Sequence, residues 1–264
     1  MAWRRIGRFV KRVLRLPDAT LRDKGVMREL RGRLERWPEA EAVFEYLDRG
    51  RRWNRWMLDP TASLAALEQL EPREEPLVIE EYGSGFSTAF LARTLDARGI
   101  AFELHGHEHV ARFHAETLSQ VNHTGVHVHL RALKQLSDDE RAALFEAEDP
   151  LRFFSSAGQP LPRKRELETR VPNCFYDIVL DEVRERHPDL VVLDGPNGSG
   201  RALVFPLLRD RLEPGAVVGI DDATHYPFEV ELRRCFDIEV VQRNESELNP
   251  WTVCVVRGAV SIRA

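Results

Sequence analysis

Between the apolar run "LVI" and the helix-like "AFLARTL" stands "EYGSGFST", residues Glu81 to Thr88. Two glycines in a turn between a strand and a helix allow backbone amides to approach a polar or charged ligand. Two common ligands fit poorly. A dinucleotide fingerprint needs a third glycine, and Thr88 follows Gly83 and Gly85 without one. A phosphate-cradling loop needs a lysine followed by Ser or Thr, which is absent. The turn carries instead an acid, Glu81, with Glu80 beside it. Carboxylates repel a pyrophosphate and suit a ligand bearing an ammonium or a sulfonium.

More acids stand where strands should end. "AFELHGHEH" closes near Glu108, where an acid at a strand tip can accept bonds from ribose hydroxyls; the same residue also reads as an acid complementing a helix N-terminus. Asp194 ends "DLVVLD", and Asp221 with Asp222 follows "GAVVGI". If those strands are neighbours, three carboxylates converge. Such a cluster repels itself unless it is protonated, hydrogen-bonded or bridged by a cation. Oxygen donors of this kind suit Mg²⁺, Ca²⁺ or Mn²⁺, and a bound ion would lower the pKa of an acceptor hydroxyl. A metal-free cleft using the same acids and a purely structural capping role are the competing readings. His225, in "DDATHYPF", is the candidate general base, and reads equally as a polar loop residue.

A second cluster is built from imidazoles. "HGHEH" places His105, His107 and His109 at alternate positions, and "VHVH" adds His127 and His129. Alternation puts such side chains on one face of a strand, as in zinc sites with two histidines and a glutamate. The helical H-E-x-x-H and H-x-x-E-H signatures are absent. Histidines on a partly exposed sheet surface are the plainer explanation.

These residues need a scaffold that brings strand ends together. The 264 residues, 43% hydrophobic and 31% charged, suit one large α/β domain with extensions. The formal net charge of −5 gives no global signature of nucleic-acid binding. Cys174, Cys235 and Cys254 fit no zinc spacing and read as reduced core thiols of a cytoplasmic protein. Strand-like runs are "LVIEEY", "AFELHGH", "GVHVHL", "DLVVLD", "GAVVGI", "IEVVQ" and "TVCVVR". Helix-length segments over 87–98, 109–120, 199–212 and 226–235 separate most of them, which indicates parallel βαβ units in a doubly wound sheet. The last two runs lack a helix between them and read as an antiparallel pair.

Residues 1–70 form a helical, polar N-terminal extension with breaks at Pro38 and Pro60, and 71–264 form the α/β domain. Within the extension, 1–16 is a basic amphipathic helix: Trp3, Ile6, Val10 and Val13 share a face, among six arginines and lysines. It suits peripheral contact with an anionic membrane or a partner, or packing on its own domain. The insertion 134–170 is too long for an ordinary connection. It contains a helix-like "DDERAALFEAE" and a loop-like "SSAGQPLPRKRE", as a lid over a site would.

Taken in order, "VIEEYGSGFSTAFLA", "GHEH", "PDLVVLDGPNGSGR" and "LEPGAVVGIDDATH" resemble a class I S-adenosylmethionine-dependent methyltransferase, over roughly residues 75–258. The resemblance implies a Rossmann-like, mostly parallel seven-stranded sheet with an antiparallel C-terminal strand, and S-adenosyl-L-methionine as cofactor. It places Glu81, Gly83, Ser84, Gly85, Ser87 and Thr88 at the methionine part, Glu81 near the amino group, Glu108 on the ribose and Asp194 beside the cofactor. A side chain at Gly83 is then expected to block the cofactor with little loss of folding. The arrangement is similar to metal-dependent O-methyltransferases, including the macrocin (sugar) and catechol-type enzymes, which carries Asp194, Asp221 and Asp222 over as ligands of Mg²⁺ or another divalent cation. The chain departs from the sugar enzymes in having "DGPNG" where they have a further acid, and "LDGP" followed by "GR" resembles methyltransferase-like proteins without an obvious metal. The implied reaction is methylation of a hydroxyl on a small molecule or carbohydrate, with Asp194 and His225 as catalytic candidates. Related enzymes associate, so an oligomer is compatible with the sequence. The alternative of a different class is a catalytically silent cofactor-binding scaffold, recruited to a membrane or partner by its N-terminal helix.

Overall fold

Runs of apolar residues give the strands in the middle of the central sheet two buried faces, which the helices between strands cover, while the edge strands 126–130 and 236–244 are partly exposed. The computed structural model describes residues 30, 32–33, 35–50, 57–71, 73–162, 171–178, 183–245 and 250–260; the basic segment 1–16 and residues 163–170 of the insertion lie outside them. In chain order the elements are α1 (Glu39–Gly50), α2 (Pro60–Leu67), β1 (Leu77–Tyr82), α3 (Phe86–Ala97), β2 (Phe102–Glu108), α4 (Ala111–Gln120), β3 (Val126–Leu130), β4 (Leu133–Gln135), α5 (Asp138–Glu146), α6 (Pro150–Ser156), β5 (Gln159–Pro160), β6 (Cys174–Tyr176) and β7 (Leu190–Leu193). A 3₁₀ segment (Ser199–Leu203) then runs into α7 (Val204–Leu208), followed by β8 (Val217–Asp221), α8 (Phe228–Cys235), β9 (Phe236–Asn244) and β10 (Trp251–Ala259).

The main sheet has the order β3-β2-β1-β7-β8-β10-β9. It is parallel except for β10, which runs antiparallel to both neighbours. The mostly parallel, Rossmann-like α/β fold is therefore as expected. Chain order reverses between β1 and β7: β1 leads outward to β2 and β3, and the chain returns on the other side of β1. Ligands of doubly wound sheets sit at such a switch point, outside the carboxyl ends of the strands.

One face of the sheet packs on α1, α2 and α3. Ala40, Val43, Phe44 and Leu47 form the apolar face of α1. Phe44 meets Phe86 of α3 edge-on at 5.7 Å between ring centroids. Helix α2 starts on Asp59, whose Oδ1 accepts from the Thr61 amide at 2.8 Å, with Pro60 at the first helical position. All eight α2 residues are buried.

The other face packs on α5 to α8 and on a small antiparallel sheet, β5-β4-β6, which the sequence does not foretell. Strands of two or three residues are too short to show an alternation. The insertion's expected helix is α5, opened by Ser137 and Glu140 in a reciprocal capping box. The helix expected over 199–212 is instead a 3₁₀ turn followed by a short α-helix. Among the described residues no helix is long and apolar enough to cross a membrane.

Candidate functional site

The glycine turn is tied down on both sides before any ligand is considered. Gly83 N donates to His107 O of β2 at 2.9 Å, and Tyr82 O accepts from the Asp194 and Gly195 amides that follow β7. Gly83 has a φ of +101°. A Cβ there would lie 2.5 Å from Gly195 N, and a Cβ on Gly195 would lie 2.8 Å from Gly83 Cα. The two glycines let the exits of β1 and β7 touch. A side chain at Gly83 therefore meets the protein's own backbone, which corrects the expectation that it would spare the fold.

Other turn residues also serve the turn. Thr88 Oγ1 accepts from Gly85 N at 2.8 Å and donates to Glu81 Oε2. Ser87 Oγ donates to Glu81 Oε1 at 2.5 Å, and Ser84 Oγ lies 3.4 Å from Thr117 Oγ1 of α4. Glu81 is thus turned inward against the start of α3. Burial pushes its carboxyl up to about 8; the two hydroxyl donors oppose the rise, and the nearby charges of Asp194 and Glu108 add to it.

Glu108 takes the helix-end role that the sequence leaves open at its position. Its Oε1 accepts from the His109 and Val110 amides at 2.7 and 2.8 Å, just ahead of α4. Glu81, Glu108 and Asp194 converge at the ends of β1, β2 and β7, at the switch point.

Asp194 and Asp221 meet across the next pair of strands. Leu193 is in register with Ile220, so these two acids follow as the next pair, and their carboxyl groups are hydrogen-bonded to each other. Burial raises both, and the charge of Asp222 adds to the rise of each, so the hydrogen-bonded pair shares a proton. Asp221 Oδ1 has no hydrogen-bond partner, and the Leu58 amide approaches Asp194 Oδ2 at 3.3 Å.

Asp222 turns away from this pair, with a φ of +54°. Its Oδ2 accepts from Arg201 Nη2 at 3.1 Å, and its Oδ1 lies 3.0 Å from His225 Nδ1. Arg201 is 2% exposed and also donates to Pro196 O at 2.8 Å. The guanidinium supplies the positive charge that a cation was expected to supply. The three-carboxylate ion site at Asp194, Asp221 and Asp222 is therefore not formed, because its third member is held by Arg201 and His225. Among the described residues no group of three or more His, Cys, Asp or Glu is disposed to hold a metal ion.

That statement covers the histidines too. His105, His107, His127 and His129 stack along one face of β2 and β3, with ring centroids 5.1 to 5.6 Å apart. His105 Nδ1 lies 3.3 Å from His129 Nε2, and its Nε2 lies 2.9 Å from Glu103 Oε1. His107 is fully buried against Tyr82, and desolvation pushes it down to about 3, so it is neutral.

Two residues at the site carry little or no sequence signal. Leu58 enters through a backbone amide, which no side-chain pattern reports. Tyr176 belongs to the three-residue strand β6, and its hydroxyl lies against Gly195 at the crevice.

No family model matches the chain, and no curated protein matches it. Solved structures do. An O-methyltransferase from Bacillus cereus in complex with SAH has 14% identity and a TM-score of 0.46, covering 83% of this chain and 91% of that one. Precorrin-6y C5,15-methyltransferase from Geobacter metallireducens has 12% identity and a TM-score of 0.43, covering 74% and 87%. An rRNA methylase from Streptococcus thermophilus has 14% identity and a TM-score of 0.41, covering 75% and 94%.

Proposed function

We propose that the crevice binds S-adenosylmethionine and that the protein transfers its methyl group to a hydroxyl oxygen of a small molecule or carbohydrate. The observation that carries this reading is the convergence of Glu81, Glu108 and Asp194 at the switch point, next to a glycine turn with no phosphate-binding signature. A crevice lined by acids, some of them holding protons, favours a ligand that brings positive charge and hydroxyl donors. The residues present fit that cofactor: Asp194 keeps part of its surface accessible, and Asp221 Oδ1 has acceptor capacity left.

The bound cofactor supplies an electrophilic methyl group on a sulfonium. The chain's own residues do the rest. Asp194 compensates the ligand's charge, Glu81 adds to it as its proton leaves toward about pH 8, and Glu108 accepts from its hydroxyls. Asp222 accepts from Nδ1 of His225, which leaves Nε2 of the neutral ring as the base that takes the acceptor's hydroxyl proton. Arg201 holds Asp222 in place. The acids do not form a three-ligand ion site, so no step here runs through a metal.

Calorimetric titration with S-adenosylhomocysteine tests the reading. One micromolar site per chain is expected; no binding up to millimolar ligand would overturn it.

A further inference from the structure

Tyr176 is fully buried and its hydroxyl has no hydrogen-bond partner. It is not hidden among apolar groups alone. The oxygen lies 2.6 Å from the position a Cβ would take on Gly195. The charges that act on it are those of Glu108, Asp194, Arg201 and Glu81, the residues of the proposed cofactor crevice. A buried hydroxyl without a partner is costly, and phenylalanine would fill the same space without that cost.

The side chain cannot swing out to water. Its ring is held by Phe175, 5.4 Å away, and by His109, which meets it edge-on at 5.8 Å. The backbone of β6 is fixed as well. A Cβ on Gly200 would lie 2.1 Å from Cys174 O, so the 3₁₀ segment after β7 and β6 are in direct backbone contact. On its other edge β6 pairs with β4, with Tyr176 opposite Leu133. The small sheet therefore presents one fixed hydroxyl to the turn after β7.

The charge balance says what that hydroxyl would hold. The amino-acid half of S-adenosylmethionine carries a carboxylate as well as an ammonium, and the acids around the crevice repel the carboxylate. An uncharged O–H donor is the group that can accept its company. Gly195 packs on Gly83 and follows Asp194, whereas Glu108 stands at the end of β2, one strand further along. Tyr176 touches both sides of this boundary, Gly195 through its hydroxyl and His109, beside Glu108, through its ring, so the hydroxyl lies between the Gly83–Gly195 contact and the end of β2.

We infer that Tyr176 is a cofactor-positioning residue whose hydroxyl donates to the carboxylate of the amino-acid half of the ligand. The inference rests on the proposed function and goes beyond it by assigning a role to the small sheet.

The test is calorimetric titration of the full chain and of Tyr176→Phe with two ligands. S-Adenosylhomocysteine has the amino-acid half, and 5′-methylthioadenosine lacks it. Tyr176→Phe is expected to weaken S-adenosylhomocysteine about tenfold or more, as for a hydrogen bond to a charged group. It should leave methylthioadenosine within about twofold, and the variant should melt no lower than the wild type, because the lost hydroxyl had no internal partner. Equal affinity for S-adenosylhomocysteine, or equal losses for both ligands, overturns the inference while the cofactor reading stands. A clear drop in melting temperature also overturns it, since the hydroxyl would then serve the fold. Binding of neither ligand by the wild type overturns the cofactor reading and this inference with it.

Discussion

Glu80 and Glu81 are neighbours on β1, yet their side chains emerge on opposite faces of the sheet and are driven to opposite protonation states. Glu80 accepts from Arg211 Nη2 at 2.7 Å, Arg186 Nε at 2.9 Å and Tyr82 Oη at 2.5 Å. Glu81 meets only hydroxyl donors and other acids. Burial raises both carboxyls. The charges of Arg211 and Arg186, with the Tyr82 hydroxyl, outweigh it for Glu80, which is held down at about 2. Nothing outweighs it for Glu81, at about 8. The first acid belongs to the fold, and the second to the crevice.

Glu80→Gln should therefore destabilise the protein by about 3–5 kcal/mol at neutral pH, the usual cost of breaking a buried ion pair by removing one partner. The sign with pH follows from its lowered folded value. Its contribution is present above the unfolded value of 4.5 and is lost as pH falls toward about 2. Urea unfolding of wild type and variant across that window is the measurement. Parallel curves would show that Glu80 is no more paired in the folded chain than in the unfolded one.

For Glu81 the sign is reversed. Its neutral form is favoured by folding, so the stability it contributes is present below 4.5 and lost as pH rises through about 8. Glu81→Gln, which stays neutral, should match the wild type near pH 5 and exceed it near pH 9 by on the order of a few kcal/mol. The ligand reads the same titration. The wild type's preference for S-adenosylmethionine over S-adenosylhomocysteine should grow as pH rises toward 8, because only the former carries the sulfonium. A preference that is flat with pH places the ionising acid elsewhere.

The seven main strands were legible because each is long enough to show a run rich in β-branched and aliphatic residues, with helix-length connections between most of them. Glu108, Asp194 and Asp221 could be placed at the cleft because they end such strands. What the side chains do there was not legible. Nothing in "DGPNGSGR" says that Gly195 and Gly200 make room for β1 and β6, or that Arg201 folds under Asp222 and replaces an expected cation. Those are contacts between segments far apart in the chain. The short strand that carries Tyr176 has no periodicity of its own.

Gly83→Ala follows from the contact with Gly195. The added methyl would lie 2.5 Å from Gly195 N, and the residue would keep a φ of +101°. Overpacking of this kind typically costs about 1–3 kcal/mol, and the left-handed backbone adds to it. The expected outcome is a lower unfolding midpoint without any ligand present. Unchanged stability with lost cofactor affinity would return Gly83 to the ligand.

His225 and Asp222 separate chemistry from binding. His225 is half exposed, and Nδ1 is already engaged by Asp222 at 3.0 Å, so the ring presents Nε2. His225→Ala should lower turnover of a hydroxyl acceptor by about 10²–10³, within the usual range for a general base. Affinity for S-adenosylhomocysteine should stay within about twofold, since no cofactor role is assigned to the ring. Added imidazole should restore part of the rate. Asp222→Asn should cost less, because the base remains and only its orientation is lost. If His225→Ala turns over at the wild-type rate, the acceptor's proton leaves by another route, and the half-protonated pair Asp194–Asp221 becomes the group to vary next.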